Sequence, residues 1–137
     1  DPEEFKIEDC KTQRNLNEAG IKQSKKIGRL FKEKKIKIDQ VLSSQWCRCK
    51  DTAKLAFDDF KEFSALNSTY TPPYDQNEKQ QIKELRNFVS SWDGNGGNLV
   101  LVTHYVIILA VTGETARSGE IVITDKNFKV LSRINTF

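Results

Sequence analysis

Two apolar runs, IDQVLSS ending at Ser44 and NLVLVTH ending at His104, each lead through reactive or polar residues into a helix-like segment. Arg48 stands just beyond the first run in VLSSQWCRCKDTA, and Thr103 and His104 close the second. If both runs are buried strands, their carboxyl ends face the ligand crevice of an open α/β sheet, where Ser43, Ser44, Arg48, Thr103 and His104 can converge. A guanidinium is a planar fork for two phosphate oxygens, and its charge-assisted hydrogen bonds contribute ~1.5–3 kcal/mol each. The amino terminus of the following helix adds free N–H groups and a dipole that favours an anion. This set of residues fits the binding of a phosphate-like group. Local sequence also allows plainer roles: Arg48 can pair with Asp51 or Asp58 at the surface, and His104, the single histidine, can be a satisfied strand-end side chain.

The elements that must position these residues follow from hydrophobic spacing. In NEAGIKQSKKIGRLFKEKK, Ile21, Ile27, Leu30 and Phe31 recur at helical intervals opposite a lysine-rich face, which predicts a surface helix from Asn17 to about Lys35. IDQVLSS reads as a brief buried strand. CRCKDTAKLAFDDF reads as a second helix with Leu55, Ala56 and Phe60 on its apolar side. The Pro-Pro pair in STYTPPYDQ marks a loop. Asn77 can cap a third helix, NEKQQIKELRNFVSSW, with Ile82, Leu85, Val89 and Trp92 inward. NLVLVTH is continuously apolar, as a strand covered on both faces should be. YVIILAVTG suits a short buried helix, and GEIVITD with FKVLSRI, joined at Lys126-Asn127, has hairpin spacing. The predicted class is therefore α/β, a three-layer α/β/α arrangement whose central sheet is mainly parallel, with antiparallel strands near the carboxyl terminus.

Composition narrows the function. The chain has 137 residues and a net charge of +3, which fits one domain with a real core. Its basic excess lies in KKIGRLFKEKKIK without interleaved aromatics, so it reads as a solvated helix face and nucleic acid is not an expected partner. No apolar run is long enough to span a membrane. One histidine and three cysteines, Cys10, Cys47 and Cys49, make no zinc set, and the cysteines read as three free thiols. DGNGG precedes a strand instead of following one, so it is a turn and no dinucleotide loop; a Gly-x-x-x-x-Gly-Lys segment and a Gly-x-Ser-x-Gly elbow are both missing. Trp46 can shield a pocket mouth or simply pack.

SSQWCRCKDTA resembles the Ser-Ser-Pro-x-x-Arg-x-x-x-Thr-Ala segment of the histidine phosphatase superfamily, also called phosphoglycerate mutase-like. NLVLVTH resembles its second-histidine strand, and DCKTQRNLNEAGIKQSKKIG resembles the approach to its first helix, particularly in small bacterial members. The resemblance implies a metal-free phosphomonoester hydrolase needing no cofactor. In it Arg48 belongs to the phosphate pocket, and His104 is the second histidine beside the transferring phosphoryl group. A first histidine attacks phosphorus and water then frees phosphate from the phosphohistidine, with the charge met by fixed donors.

The family's nucleophile sits in an Arg-His-Gly or Arg-His-Ala motif at the end of a first strand, and no such motif occurs in this chain. Family spacing places that strand just upstream of Asp1, so residues 1–137 are expected to form a single histidine-phosphatase-like domain lacking its first strand, inactive alone. Ser44, Arg14 and Gln13 are further candidates for phosphate or substrate contacts, with capping and loop anchoring as the alternative for the last two. The leaving-group acid is open among Glu120, taken first, and Glu114, Asp9 and Glu18. Expected partners are a phosphorylated small molecule or a phosphohistidine-bearing protein. Tyr70 and Tyr74, in EFSALNSTYTPPYDQNEK, can contact the rest of a substrate. A non-catalytic phosphate-binding or regulatory module of the same fold is the alternative; compartment stays open between cytoplasm and periplasm.

Overall fold

The computed structural model describes residues 1–137. After a loop with a short 3-10 turn at Cys10–Thr12, the chain forms α1 (Glu18–Glu33), β1 (Ile38–Ser43), α2 (Cys47–Phe57) and β2 (Lys61–Glu62). Further 3-10 turns at Ser64–Leu66 and Tyr74–Asn77 lead to α3 (Glu78–Ser90), β3 (Asn98–Val102), α4 (Tyr105–Thr112) and the strands β4 (Ile121–Thr124) and β5 (Val130–Ile134). β1 is the middle of a parallel sheet ordered β2-β1-β3, while β4 and β5 form an antiparallel pair of their own. The fold is thus mixed α/β, with the hairpin as a second sheet separate from the parallel one. No helix is long and apolar enough to cross a membrane.

Strand alternation divides the core. Leu42 of β1 joins Leu85 and Val89 of α3, Ile107 and Val111 of α4, and Ala65, Leu66 and Phe128 in one buried cluster. On the other side α1 and α2 lie against each other so closely that a Cβ on Gly28 would run into the Ala56 carbonyl oxygen. Phe31 meets Phe57 edge-on across the same contact, with ring centroids 5.0 Å apart.

Several expectations shift in detail. Asn17 caps α1, its side chain accepting from the Gly20 N–H at 2.8 Å. Asn77 makes no such bond, because it ends the preceding 3-10 turn and already has near-helical backbone of its own (φ −86°, ψ −10°). α2 ends at Phe57, where Asp58 takes φ 69°, so its buried stripe is Cys49, Ala53 and Ala56 while Leu55 is exposed. Ile21 is likewise exposed. β3 is only half-buried, since it pairs with β1 on one side and with no strand on the other.

Candidate functional site

The register β1–β3 sets the two strand ends side by side. Ser43 pairs with Val102, and the Ser44 N–H donates to the Val102 carbonyl at 2.9 Å, locking the end of β1 onto β3. Ser43 and Ser44 are fully buried. His104 caps α4 with extended backbone (φ −112°, ψ 153°), its carbonyl accepting from the N–H groups of Ile107 and Ile108. Its ring is buried, with Nε2 2.8 Å from Ser44 Oγ and Nδ1 3.3 Å from an Arg48 Nη. Arg48 and His104 therefore meet, as their places at two strand-to-helix junctions led one to expect.

The partner of Arg48 is not Asp51 or Asp58 but Asp1. One guanidinium nitrogen donates to both carboxylate oxygens of Asp1, at 3.0 and 3.2 Å. The Trp46 indole N–H donates to the same carboxylate at 3.1 Å, and the Arg14 backbone N–H at 2.8 Å. An anion is thus held at the mouth of the site by three donors, two from the start of α2 and one from the amino-terminal loop. Trp46 is buried between His104, Tyr74 and Phe5, with ring centroids 5.2–5.5 Å away, so it both packs and donates.

Burial, and then the neighbouring Arg48 charge, push the His104 pKa down to about 3. The ring is therefore neutral around pH 7. Cys49, whose Sγ lies 3.6 Å from Nε2, has its thiol pushed up to about 11 by burial, against the opposing influence of Arg48 and the Ser44 hydrogen bond. It stays a neutral, weakly reactive side chain. No group of three or more His, Cys, Asp or Glu residues is arranged to hold a metal ion.

The other candidates are placed elsewhere. Gln13 is an anchor: its amide donates to the carbonyls of Lys6 and Ile7, and its oxygen accepts from the Cys47 N–H at 3.0 Å. The first N–H of α2 is therefore taken by Gln13 instead of being open to an anion. Arg14 brings only its backbone N–H to the site, its side chain being exposed. Glu120 accepts from the Arg117 N–H and pairs with Arg133 at 3.2 Å, contacts that hold its carboxyl below the usual range; a general acid needs the reverse. Glu114 also binds Arg133, Asp9 caps the Cys10–Thr12 turn, and Glu18 pairs with Lys22. Tyr74 packs on Trp46, whereas Tyr70 is exposed beside Tyr105.

Two cysteines are not free: Cys10 and Cys47 form a disulfide across a separation of 37 residues, with Cα atoms 5.7 Å apart. Only Cys49 is a thiol. Asn67 is a member of the site that sequence reasoning missed. Its Oδ1 accepts from the Gln45 N–H at 2.8 Å and lies 3.3 Å from Ser44 Oγ. Nothing in the loop around Asn67 marks it out, because its role depends on a fold-back from beyond β2.

Comparison with known proteins bears on the fold and on the sequence of its first half. The sequence model of the histidine phosphatase superfamily (branch 1) matches residues 8–72, the part that carries Gln13, Ser44, Arg48 and Asn67. Over that stretch the chain is similar to the histidine phosphatase superfamily. The structure of the protein histidine phosphatase SixA complexed with tungstate aligns with a TM-score of 0.61 at 18% identity, covering 90% of this chain and 85% of that one. That of the open reading frame Rv3214 from Mycobacterium tuberculosis aligns with a TM-score of 0.52 at 17% identity, covering 72% and 67%. No curated protein matches the chain.

Proposed function

We propose that the site hydrolyses a phosphomonoester, carried by a phosphorylated small molecule or a phosphohistidine-bearing protein. The observation that carries this reading is the convergence of Arg48, the Trp46 indole and the Arg14 N–H on one carboxylate, with Arg48 also reaching His104. A phosphoryl oxygen asks for the same donors, and their fixed geometry would stabilise charge on the transferring group without reorganisation. Likeness to the protein histidine phosphatase SixA supports a phosphohistidine protein as substrate.

The route through a phosphohistidine needs a nucleophilic imidazole besides His104, the single histidine of residues 1–137. We place it on a further strand, upstream of Asp1, that adds to the free edge of β3 and so ends beside Thr103 and His104. Two features support that placement: β3 has a strand partner on one side only, and β4–β5 stands as a separate sheet. Such a strand would also cover the half-buried apolar side chains of β3.

The test is phosphate release from an aryl phosphate and from a phosphohistidine-bearing protein, using the protein with its upstream segment and the same protein carrying His104→Ala. Turnover that falls with the substitution is expected. Because residues 1–137 hold no second histidine, a phosphate-binding or regulatory module is the competing reading. Stabilisation by orthovanadate without turnover would select it, and neither turnover nor stabilisation would sink both.

A further inference from the structure

The hydrogen-bond directions around His104 can be assigned one by one. A guanidinium only donates, so the Arg48 nitrogen 3.3 Å from Nδ1 faces a lone pair there. The proton of the neutral ring then sits on Nε2 and is donated to Ser44 Oγ at 2.8 Å. Ser44 Oγ also accepts from the Trp46 N–H at 3.1 Å, which leaves its own proton for Asn67 Oδ1 at 3.3 Å. Asn67 cannot turn its amide round without loss. Its Oδ1 accepts from the Gln45 N–H, and its Nδ2 donates to Gln45 Oε1 at 2.9 Å. Run in the opposite sense, the chain would set an Nδ1–H against an Arg48 N–H.

We propose that Ser44 and Asn67 are positioning residues that keep the His104 proton on Nε2, so that Nδ1, on the Arg48 side, takes up a proton from solvent when a tetrahedral oxyanion enters the site. This rests on the reading of Arg48 and His104 as a phosphate site. In the step, the Nδ1 lone pair binds H⁺ and the ring becomes an imidazolium, with Nε2–H still on Ser44 Oγ and the new Nδ1–H on the oxyanion. No bond to phosphorus or sulfur changes. The charged and titratable groups packed around the ring are few. α2 brings Arg48 and the neutral Cys49 thiol, the amino-terminal loop brings Asp1 through Arg48, and the ends of β1 and of the Asn67 segment bring none. An anion would offset Arg48, which opposes charge on the ring. Binding is thereby coupled to proton uptake and tightens as pH falls.

The chain's single histidine makes the ring directly visible. In a long-range ¹H–¹⁵N spectrum of the ¹⁵N-labelled protein without added anion, Nε2 should carry the proton and Nδ1 should not. Ser44→Ala should mix the two tautomers, Asn67→Ala should mix them in part, and Ser44→Thr should restore the pattern; a merely structural role would not sort the nitrogens this way. Inorganic sulfate, whose charge is fixed between pH 5 and pH 7, should protonate Nδ1 and bind up to about tenfold tighter per unit fall in pH. An Nδ1 proton in the anion-free protein overturns the proposal. So does an unchanged nitrogen pattern in folded Ser44→Ala, or in Asn67→Ala if Ser44→Ala does not fold. Sulfate that stabilises the protein without protonating Nδ1, at equal affinity across this range, overturns the proposal alone. Absence of stabilisation by sulfate and by phosphate alike overturns it together with the phosphate-site reading.

Discussion

Acid should unfold this protein in part through one side chain. His104 has a pKa near 3 in the folded chain against the ordinary 6.5, because burial and then Arg48 disfavour the imidazolium. A histidine depressed in this way binds its proton more readily when unfolded, so its contribution is fully present above 6.5 and lost as pH falls towards 3. Linkage with these two values gives a loss, relative to pH 7, of about 1 kcal/mol at pH 5.5 and about 3 kcal/mol at pH 4. Other groups lose stability in acid too: Asp58 and Glu120 have depressed pKa values through Lys54 and through the Arg117 N–H and Arg133. His104→Gln cancels them by subtraction, since the amide does not titrate. Urea unfolding of the two proteins from pH 7 to pH 4 should show a stability difference that closes by about 3 kcal/mol, with unchanged m values. Parallel pH dependences would refute the argument, because they would mean that the ring is solvated or already charged.

Arg48→Met keeps the apolar stem and removes a charge-assisted hydrogen bond, so inorganic phosphate affinity should fall at least about 10–100-fold by calorimetry. Gly28→Ala sets a helix-propensity gain of about 1 kcal/mol against a Cβ driven into the Ala56 carbonyl. The clash should win by about 1–3 kcal/mol in urea unfolding, whereas Gly20→Ala, whose Cβ would meet side-chain atoms of Leu16 and Asn17 at 3.2–3.5 Å and no backbone, should be close to neutral. Removing the Cys10–Cys47 bridge with a reductant should lower stability by about 3–4 kcal/mol if unfolded-chain entropy over 37 residues sets the scale, seen as a lower Tm.

The order of elements was legible because each carries a period: the α1 stripe at helical spacing, the unbroken apolar runs of β1 and β3, the alternation in the final hairpin. Ser44, Arg48 and His104 were legible for a related reason, since residues just past the ends of parallel strands share one edge whatever the loops do. The rest depends on distance in sequence. Cys10 and Cys47 come together because Gln13 binds both the amino-terminal carbonyls and the first N–H of α2, a fold-back that no local pattern announces. Asn67 and Asp1 reach the site the same way. Glu120 failed as an acid because position along a strand does not say which cation is next to it, and here it is Arg133. The half-exposure of β3 was hidden as well, since an apolar run tells what a strand could bury and not which neighbours it has.

Trp46 gives the site an optical consequence. Its indole N–H is bonded to the Asp1 carboxylate, and its ring lies 5.3 Å from the imidazole of His104. Tryptophan emission is sensitive both to the loss of such a hydrogen bond and to a positive charge beside the ring. Trp92, the second emitter, packs against Phe88 beyond the end of α3 and can be silenced as Trp92→Phe. Fluorescence from the remaining indole would then follow, on the timescale of mixing, an anion taking the place of the carboxylate and the charge arriving on the histidine.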